Sequence, residues 1–242
     1  MIIVIKIVKK IIQKLLNFFG YAVIKNKNFK KIYRTLDDSI VKLINGDNPL
    51  IFDVGAHEGE SIKRFKKIFK KPTIHSFEPQ SRCFKELQKL KDENIILNKF
   101  GFGNKKEDKS INIYNDDSSS SILKLSEKSN FNKKLKFIGA EKIKIDTLDN
   151  YVKDNNIGRI DLLKIDTQGY EENILTGGLE ILKNNVYLLE IEIIFVEYYD
   201  KTNSFYKYEK ILNNQGFELY SISTPAFSEN YRIKWLDALY VN

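Results

Sequence analysis

The chain has 242 residues, 42% of them hydrophobic and 30% charged, which is length and apolar content enough for one α/β domain and excludes a disordered chain. Its single cysteine, Cys83, excludes an internal disulfide and a cysteine zinc cluster, and fits a reducing, cytoplasmic compartment. The formal charge is +8, but residues 1–36 hold nine cations and no acid; subtracting nine leaves −1 for residues 37–242, which argues against a nucleic-acid-binding body.

The first segment, "MIIVIKIVKKIIQKLLNFFGY", sets Ile5, Val8, Ile12, Leu15, Leu16 and Phe19 on one helical face and Lys6, Lys9, Lys10, Gln13, Lys14 and Asn17 on the other. Lysines interrupt it too often for a membrane span of about 20 apolar residues. No basic stretch precedes the run and no small-residue cleavage site follows it, so it does not read as a secretory signal. Two readings stay open: residues 1–20 lie on the inner face of an anionic membrane, or the helix packs on its own domain. Residues 1–45 are taken as this basic arm with a linking helix over residues 28–45, and residues 46–242 as the main domain.

From there strand and helix patterns alternate. "PLIFDV" (49–54) predicts a strand, "ESIKRFKKIFKK" (60–71) a helix, "TIHSFE" (73–78) a strand, "SRCFKELQKLKD" (81–92) a helix and "NIILNKF" (94–100) a third strand, an order that builds a parallel sheet with helices on both faces. "SINIYN" (110–115) alternates like an edge strand; "DDSSSS" (116–121) reads as a solvated loop, with a flap over a ligand as the alternative; the stretch to Gly139 reads as irregular. "KIKID" is a strand, and a helix follows from Leu148, capped by Asp146 or Thr147. "IDLLKID" (160–166) is a buried strand, "YEENILTGGLEILKNN" one or two helices broken at Gly177-Gly178, and "VYLLEIEIIF" (186–195) a strand. A helix over 205–214 and strands over 217–223 and 235–242 close the chain, the last two near enough to pair antiparallel.

The loop "DVGAHEG" (53–59) follows the first core strand, so it lies at the carboxyl edge where open α/β sheets bind ligands. Its glycines permit positive φ and close backbone approach, and the next helix offers free N–H groups. Glu78, at the end of the second strand, can accept both hydroxyls of a ribose. The dinucleotide spacing G-x-G-x-x-G is absent, and Asp53 and Glu58 would repel a pyrophosphate. A nucleoside with a cationic end, S-adenosylmethionine, fits better.

"FDVGAHEGES", "FEP" (77–79), "TLDNY" (147–151), "IDLLKIDTQGYEENILTGG" (160–178), "LEIEIIFVEYYD" (189–200) and the terminal "WLDALYV" together resemble the FkbM-type S-adenosylmethionine-dependent methyltransferases, from about Phe52 to the end of the chain. The resemblance implies a class I methyltransferase fold, a Rossmann-like α/β arrangement with a seven-stranded, mostly parallel sheet and an antiparallel last strand. It also implies O-methylation of a hydroxyl on a sugar, glycan or related metabolite. Cofactor roles carry over to Asp53, Gly55, Ala56, His57, Glu58 and Gly59, to Glu78 and Pro79, to Phe102 beside the adenine, and to Asp166.

Methyl transfer to an alcohol needs collinear donor and acceptor atoms and a group that takes the hydroxyl proton. Asp166 ends the fourth core strand, and Lys164 shares its face by strand alternation. Glu190 and Glu192 share one face of an apolar strand, where an acid is costly unless paired; Glu192, nearer the carboxyl end, is expected to face the site. With Asp237, these acids can supply a base, hold acceptor hydroxyls or bind a divalent cation, although no metal site is assigned. Glu190 and Asp237 can equally pair with lysines. His57 is expected to hydrogen-bond backbone rather than act as base, and His75 to be a satisfied core residue. Tyr170, Tyr198 and Tyr199 can stack on a sugar or belong to the core. The competing readings are an RNA methyltransferase, prompted by the arm, and a non-catalytic nucleoside-binding or membrane-docking protein.

Overall fold

The computed structural model describes residues 35–130, 132–200 and 205–242, together with residues 9, 12, 14–16, 18 and 19 of the arm. The predicted membrane-facing or packed helix over residues 1–20 therefore lies largely outside the described residues.

The ordered body begins with α1 (Leu36–Leu43), held by a reciprocal capping box between Thr35 and Asp38. Although the sequence reading assigns this segment to the arm, Leu36, Ile40 and Ile44 are buried with Ile51, Phe65 and Ile74 in one apolar cluster. The packed body thus starts by residue 36 rather than 46. Strand β1 (Leu50–Val54) leads through the glycine loop to α2 (Glu60–Ile68), then β2 (Thr73–Phe77), α3 (Ser81–Leu87) and β3 (Ile95–Asn98). Strands β4 (Gly101–Phe102), β5 (Glu107–Tyr114) and β6 (Phe137–Asp146) form a separate small sheet in the order β4-β6-β5. Then come α4 (Leu148–Asp154), capped by the Thr147 hydroxyl on the Asn150 amide, β7 (Ile160–Ile165), α5 (Glu171–Thr176), α6 (Leu179–Asn184), β8 (Val186–Ile194), α7 (Phe205–Asn214), β9 (Glu218–Ile222), β10 (Ala226–Phe227) and β11 (Ile233–Val241).

The main sheet runs β10-β11-β8-β7-β1-β2-β3, with β9 also on β11. Strands β3, β2, β1, β7 and β8 pair in parallel, whereas β11 lies antiparallel between β8 and β9. The predicted seven-stranded sheet with an antiparallel last strand is present, extended by the two-residue β10.

Both faces are covered. On one, Phe52, Leu163, Ile165 and Leu189 pack against Leu148 and Tyr151 of α4, Ile174 of α5, Leu182 of α6 and Leu212 of α7. On the other, Ile51, Leu162, Leu188 and Leu239 pack against α1, α2 and α3. Strand order reverses beside β1, which is flanked by β2 and β7, so the ligand crevice is expected beyond its carboxyl end.

Candidate functional site

A cavity of about 670 Å³ opens at that edge. Its floor comes from the glycine loop and the segment after β7, and one wall from Asp116–Ile122, between β5 and β6. The run Ser118–Ser121, read as solvated, lines the cavity instead.

The loop geometry follows from close backbone approach. Gly55 has φ +84°, and a Cβ there would stand 1.9 Å from the Asp166 carbonyl oxygen, so any larger residue would push the two loops apart. The amides of Gly55 and Ala56 both donate to the Phe77 carbonyl, at 3.0 and 3.1 Å, which ties the loop to β2. The His57 amide donates to Glu78 Oε2 at 2.9 Å, and the Gln80 amide to Glu78 Oε1 at 2.7 Å. Glu78 is thus fixed by two backbone donors while it faces the cavity. Burial raises its pKa to about 7 against the lowering effect of those two bonds, with Asp53 and Glu141 adding to the rise. Pro79 and Phe102 also line the wall, and the Phe102 ring packs on Phe77 at 4.5 Å.

Not every predicted cofactor residue reaches the cavity. Asp53 is fully buried and forms no part of the wall. Neither of its oxygens accepts a hydrogen bond of ordinary geometry, although the Ser61 hydroxyl is near enough to lower its pKa. Burial outweighs that and the attraction of Lys164, raising Asp53 to about 6. Gly59, likewise off the wall, caps α2 in a left-handed conformation. Glu58 turns outward to Arg82 at 2.9 Å, and Arg82 also pairs with Asp117 of the serine segment. His57 lines the cavity with its Nδ1 3.4 Å from Glu60, while its Nε2 is buried without a partner.

Strand register explains the acids. Asp53, Lys164 and Glu190 form one lateral row across β1, β7 and β8. Two residues further along, Asp166 and Glu192 reach the cavity, and Asp237 stands opposite Glu192 on β11. Lys164 Nζ lies 3.4 Å from Asp166 Oδ2 and 3.8 Å from Asp53 Oδ1. Burial disfavours its charge, but Asp166, Asp53 and Glu190 together hold it firmly protonated. Glu190 receives both terminal nitrogens of Arg64, at 2.6 and 3.1 Å, so its partner is an arginine from α2 rather than a lysine. Glu192 has no such cation: burial, then Asp166, Glu171 and Asp237, push its carboxyl well above the usual range. Asp237, raised to about 6 by burial and by Glu190 and Asp166, forms no part of the wall. The antiparallel register sets it beside Glu192, whose charged form it disfavours; the sequence reading places Asp237 among the groups that serve the acceptor, and it stands behind the wall instead.

Gln168 was missed. It lines the cavity at φ +57°, and its Nε2 donates to Asp166 Oδ1 at 3.1 Å and to Glu192 Oε2 at 3.0 Å. Glu171 was missed too: fully buried, it accepts the amides of Thr167 and Gly169 and the hydroxyl of Tyr208, and so shapes the turn that carries Gln168. The motif "KIDTQGYE" contains both residues, but an amide has no charge pattern to betray it. Tyr170, Tyr198, Tyr199 and Trp235 complete the rim. His75 is the expected core residue, bonded to the Tyr151 hydroxyl at 2.8 Å. Among the described residues no group of three side chains is arranged to hold a metal ion, and no helix is long and apolar enough to cross a membrane.

Residues 53–219 match the methyltransferase FkbM domain. The chain is 24% identical over 201 residues to the 2-O-methyltransferase NoeI of Sinorhizobium fredii (strain NBRC 101917 / NGR234), covering 78% of each protein. Among solved structures it superposes on methyltransferase FkbM from Methylobacillus flagellatus KT with a TM-score of 0.54 at 17% identity, covering 90% of this chain and 50% of that one. It also superposes on a putative S-adenosylmethionine-dependent methyltransferase from Listeria monocytogenes, with a TM-score of 0.50 at 8% identity and coverage of 84% and 96%. The chain therefore spans about half the length of the first of these structures.

Proposed function

The chain belongs to the methyltransferase FkbM domain family and is an S-adenosylmethionine-dependent methyltransferase; from that premise we propose that it methylates a hydroxyl of a sugar, glycan or related small metabolite. The observation that carries the acceptor class is the charge of the cavity. Glu60, Glu78, Asp116, Asp117, Asp166 and Glu192 line it, and the single lysine or arginine among its described lining residues, Lys164, is already engaged by Asp166 and Asp53. A phosphodiester would meet these acids without a free cation, so RNA is disfavoured as acceptor. A neutral polyhydroxyl unit suits the carboxylates, the serine hydroxyls and the aromatic rim of Tyr198 and Trp235. The named 2-O-methyltransferase relative agrees with an oxygen acceptor.

The residues fit the cofactor. Glu78 offers a carboxylate already held by two backbone donors, suited to a ribose diol; Gly55 leaves room that a Cβ would fill; and the acidic wall suits a ligand with two cationic centres. Bound S-adenosylmethionine supplies a methyl carbon activated by a sulfonium leaving group. Asp166 and Glu192 then hold the acceptor hydroxyl and accept its proton at a carboxylate oxygen, Lys164 balances the charge on Asp166, and Asp116–Ile122 keep water from the cavity. We assign residues 1–35 to an arm outside this domain, and a cytoplasmic location in keeping with the one buried thiol, Cys83.

The test is a labelled-methyl transfer screen against cell extracts and glycan pools. The expected result is label in a hydroxyl-bearing metabolite or glycan, lost with Asp166→Ala while calorimetry still shows cofactor binding. Label confined to RNA, or none, would overturn the reading.

A further inference from the structure

Gln168 bonds to three parts of the cavity wall at once: the segment after β7, β8 with the segment after it, and the serine segment. Its two amide protons serve two different acids, Asp166 Oδ1 at 3.1 Å and Glu192 Oε2 at 3.0 Å. Its side-chain carbonyl lies 3.1 Å from the Tyr199 hydroxyl, and its backbone carbonyl accepts the Ser121 hydroxyl at 2.8 Å. Tyr199 also lies 2.8 Å from the Ser119 carbonyl; with one proton, it serves one of these two acceptors at a time. The segment that walls the cavity is therefore fastened to the residue that holds both acids. A non-glycine residue at φ +57° is uncommon and persists where its surroundings over-determine it. Here Glu171 grips the amides on either side, those of Thr167 and Gly169.

Resting on the reading above, we propose that Gln168 is the positioning residue of the transfer reaction: it holds Asp166 and Glu192 in one orientation toward the cavity and makes that orientation depend on the seated serine segment. An amide suits this task because it donates to two carboxylates without adding charge. The groups that face Glu192 are Asp166 after β7, Lys164 on β7, Glu171 on α5, Asp237 on β11, Tyr198 and Tyr199 after β8, and Tyr208 on α7. Lys164 is the one cation among them, and the Gln168 amide adds a hydrogen bond that favours the charged form.

The experiment uses the full chain carrying ¹³C-labelled carboxyls, with Glu192 assigned by Glu192→Gln. In Gln168→Ala the Glu192 carboxyl should titrate about one pH unit higher than in the native chain, because a donor to its ionised form is gone. An unmoved titration in a folded variant overturns the proposal. Labelled-methyl transfer into cell extract should fall about 100-fold in turnover, with S-adenosylmethionine affinity by calorimetry within twofold; equal losses in both would indicate a structural role and also overturn it. Ser121→Ala, which keeps the acids and the amide, should lower turnover about tenfold, and normal turnover would remove the link to the serine segment. If the native chain labels nothing in the extract, the functional reading fails, while the carboxyl titration still decides the role of Gln168.

Discussion

Glu190 and Glu192 are two residues apart on β8, share one face of the sheet and are both buried, yet their surroundings differ in kind. Glu190 lies under α2 and receives two bonds from Arg64, which Asp37 also holds at 2.6 Å. Glu192 stands at the cavity and is held by an amide of Gln168, close to Asp166 and Asp237. The pair separates a carboxylate paired in the core from one that lines the cavity and to which we assign chemistry, over a distance of about 7 Å along a strand. A buried ion pair with good geometry is tolerated in a core. A buried acid left near other acids, at the edge of a cavity, is costly and signals use.

Exchange experiments can break this contrast. The largest effect is expected from Glu192→Gln and Asp166→Ala, each lowering methyl transfer by about 10²–10⁴-fold, the range of a general base, with urea unfolding little changed. A strongly destabilised Glu192→Gln would erase the distinction. Glu190→Ala should do the opposite, leaving Arg64 without its main partner at a cost of about 3 kcal/mol by urea denaturation, while the folded fraction keeps its turnover per active site. Asp37 remains beside Arg64 to soften that loss.

A third test extends the contrast to the cofactor side. Glu78→Ala should weaken S-adenosylmethionine binding about 100-fold by calorimetry, and unchanged affinity would remove the ribose assignment. Proton linkage gives a smaller and independent signal. The folded-state values of Asp53, about 6, and Glu78, about 7, exceed their ordinary ones, so folding favours the protonated forms. Their contribution is complete below about pH 4 and is lost as pH rises to 7, by about 2–3 kcal/mol for each group. Urea midpoints of the cofactor-free protein should therefore fall across this window, and Glu78→Gln should flatten its upper half. The smallest effect on the body is expected from removing residues 1–20. Thermal unfolding should barely change, and binding to anionic vesicles should fall if the arm lies on membranes; equal vesicle binding would favour a packed helix.

Much of this was legible in the chain. Apolar runs broken by turn residues located β1, β2, β7 and β8, and the helix over Phe205–Asn214 has the predicted bounds. Alternation along "LLEIE" put both acids on one face, and nearness to the carboxyl end picked Glu192 as the one expected to face the cavity, which it lines. Three things were not legible. Arg64 sits among lysines in "SIKRFKK", where its inward aim toward Glu190 has no periodic mark. The first half of β6, "FIGAE", is largely exposed and has no regular alternation of apolar and polar residues, so only the last part, "KIKID", read as a strand. Gln168 gains its role from segments 47 and 31 residues away in sequence, at Ser121 and Tyr199, and long-range hydrogen bonds leave no local signature.

The small sheet leaves the body at Gly101–Phe102 and returns at Ile145–Asp146, and these two ends pair side by side, with the Gly103 amide on the Asp146 carbonyl at 2.9 Å. The excursion is therefore closed at its base before its outer part begins. Changes of length there need not reopen the cofactor half, since added residues raise loop-closure entropy only slowly. The serine tip nevertheless reaches back to the body through the Ser121 hydroxyl on the Gln168 carbonyl, so the excursion is moored twice, at its paired base and at its far end.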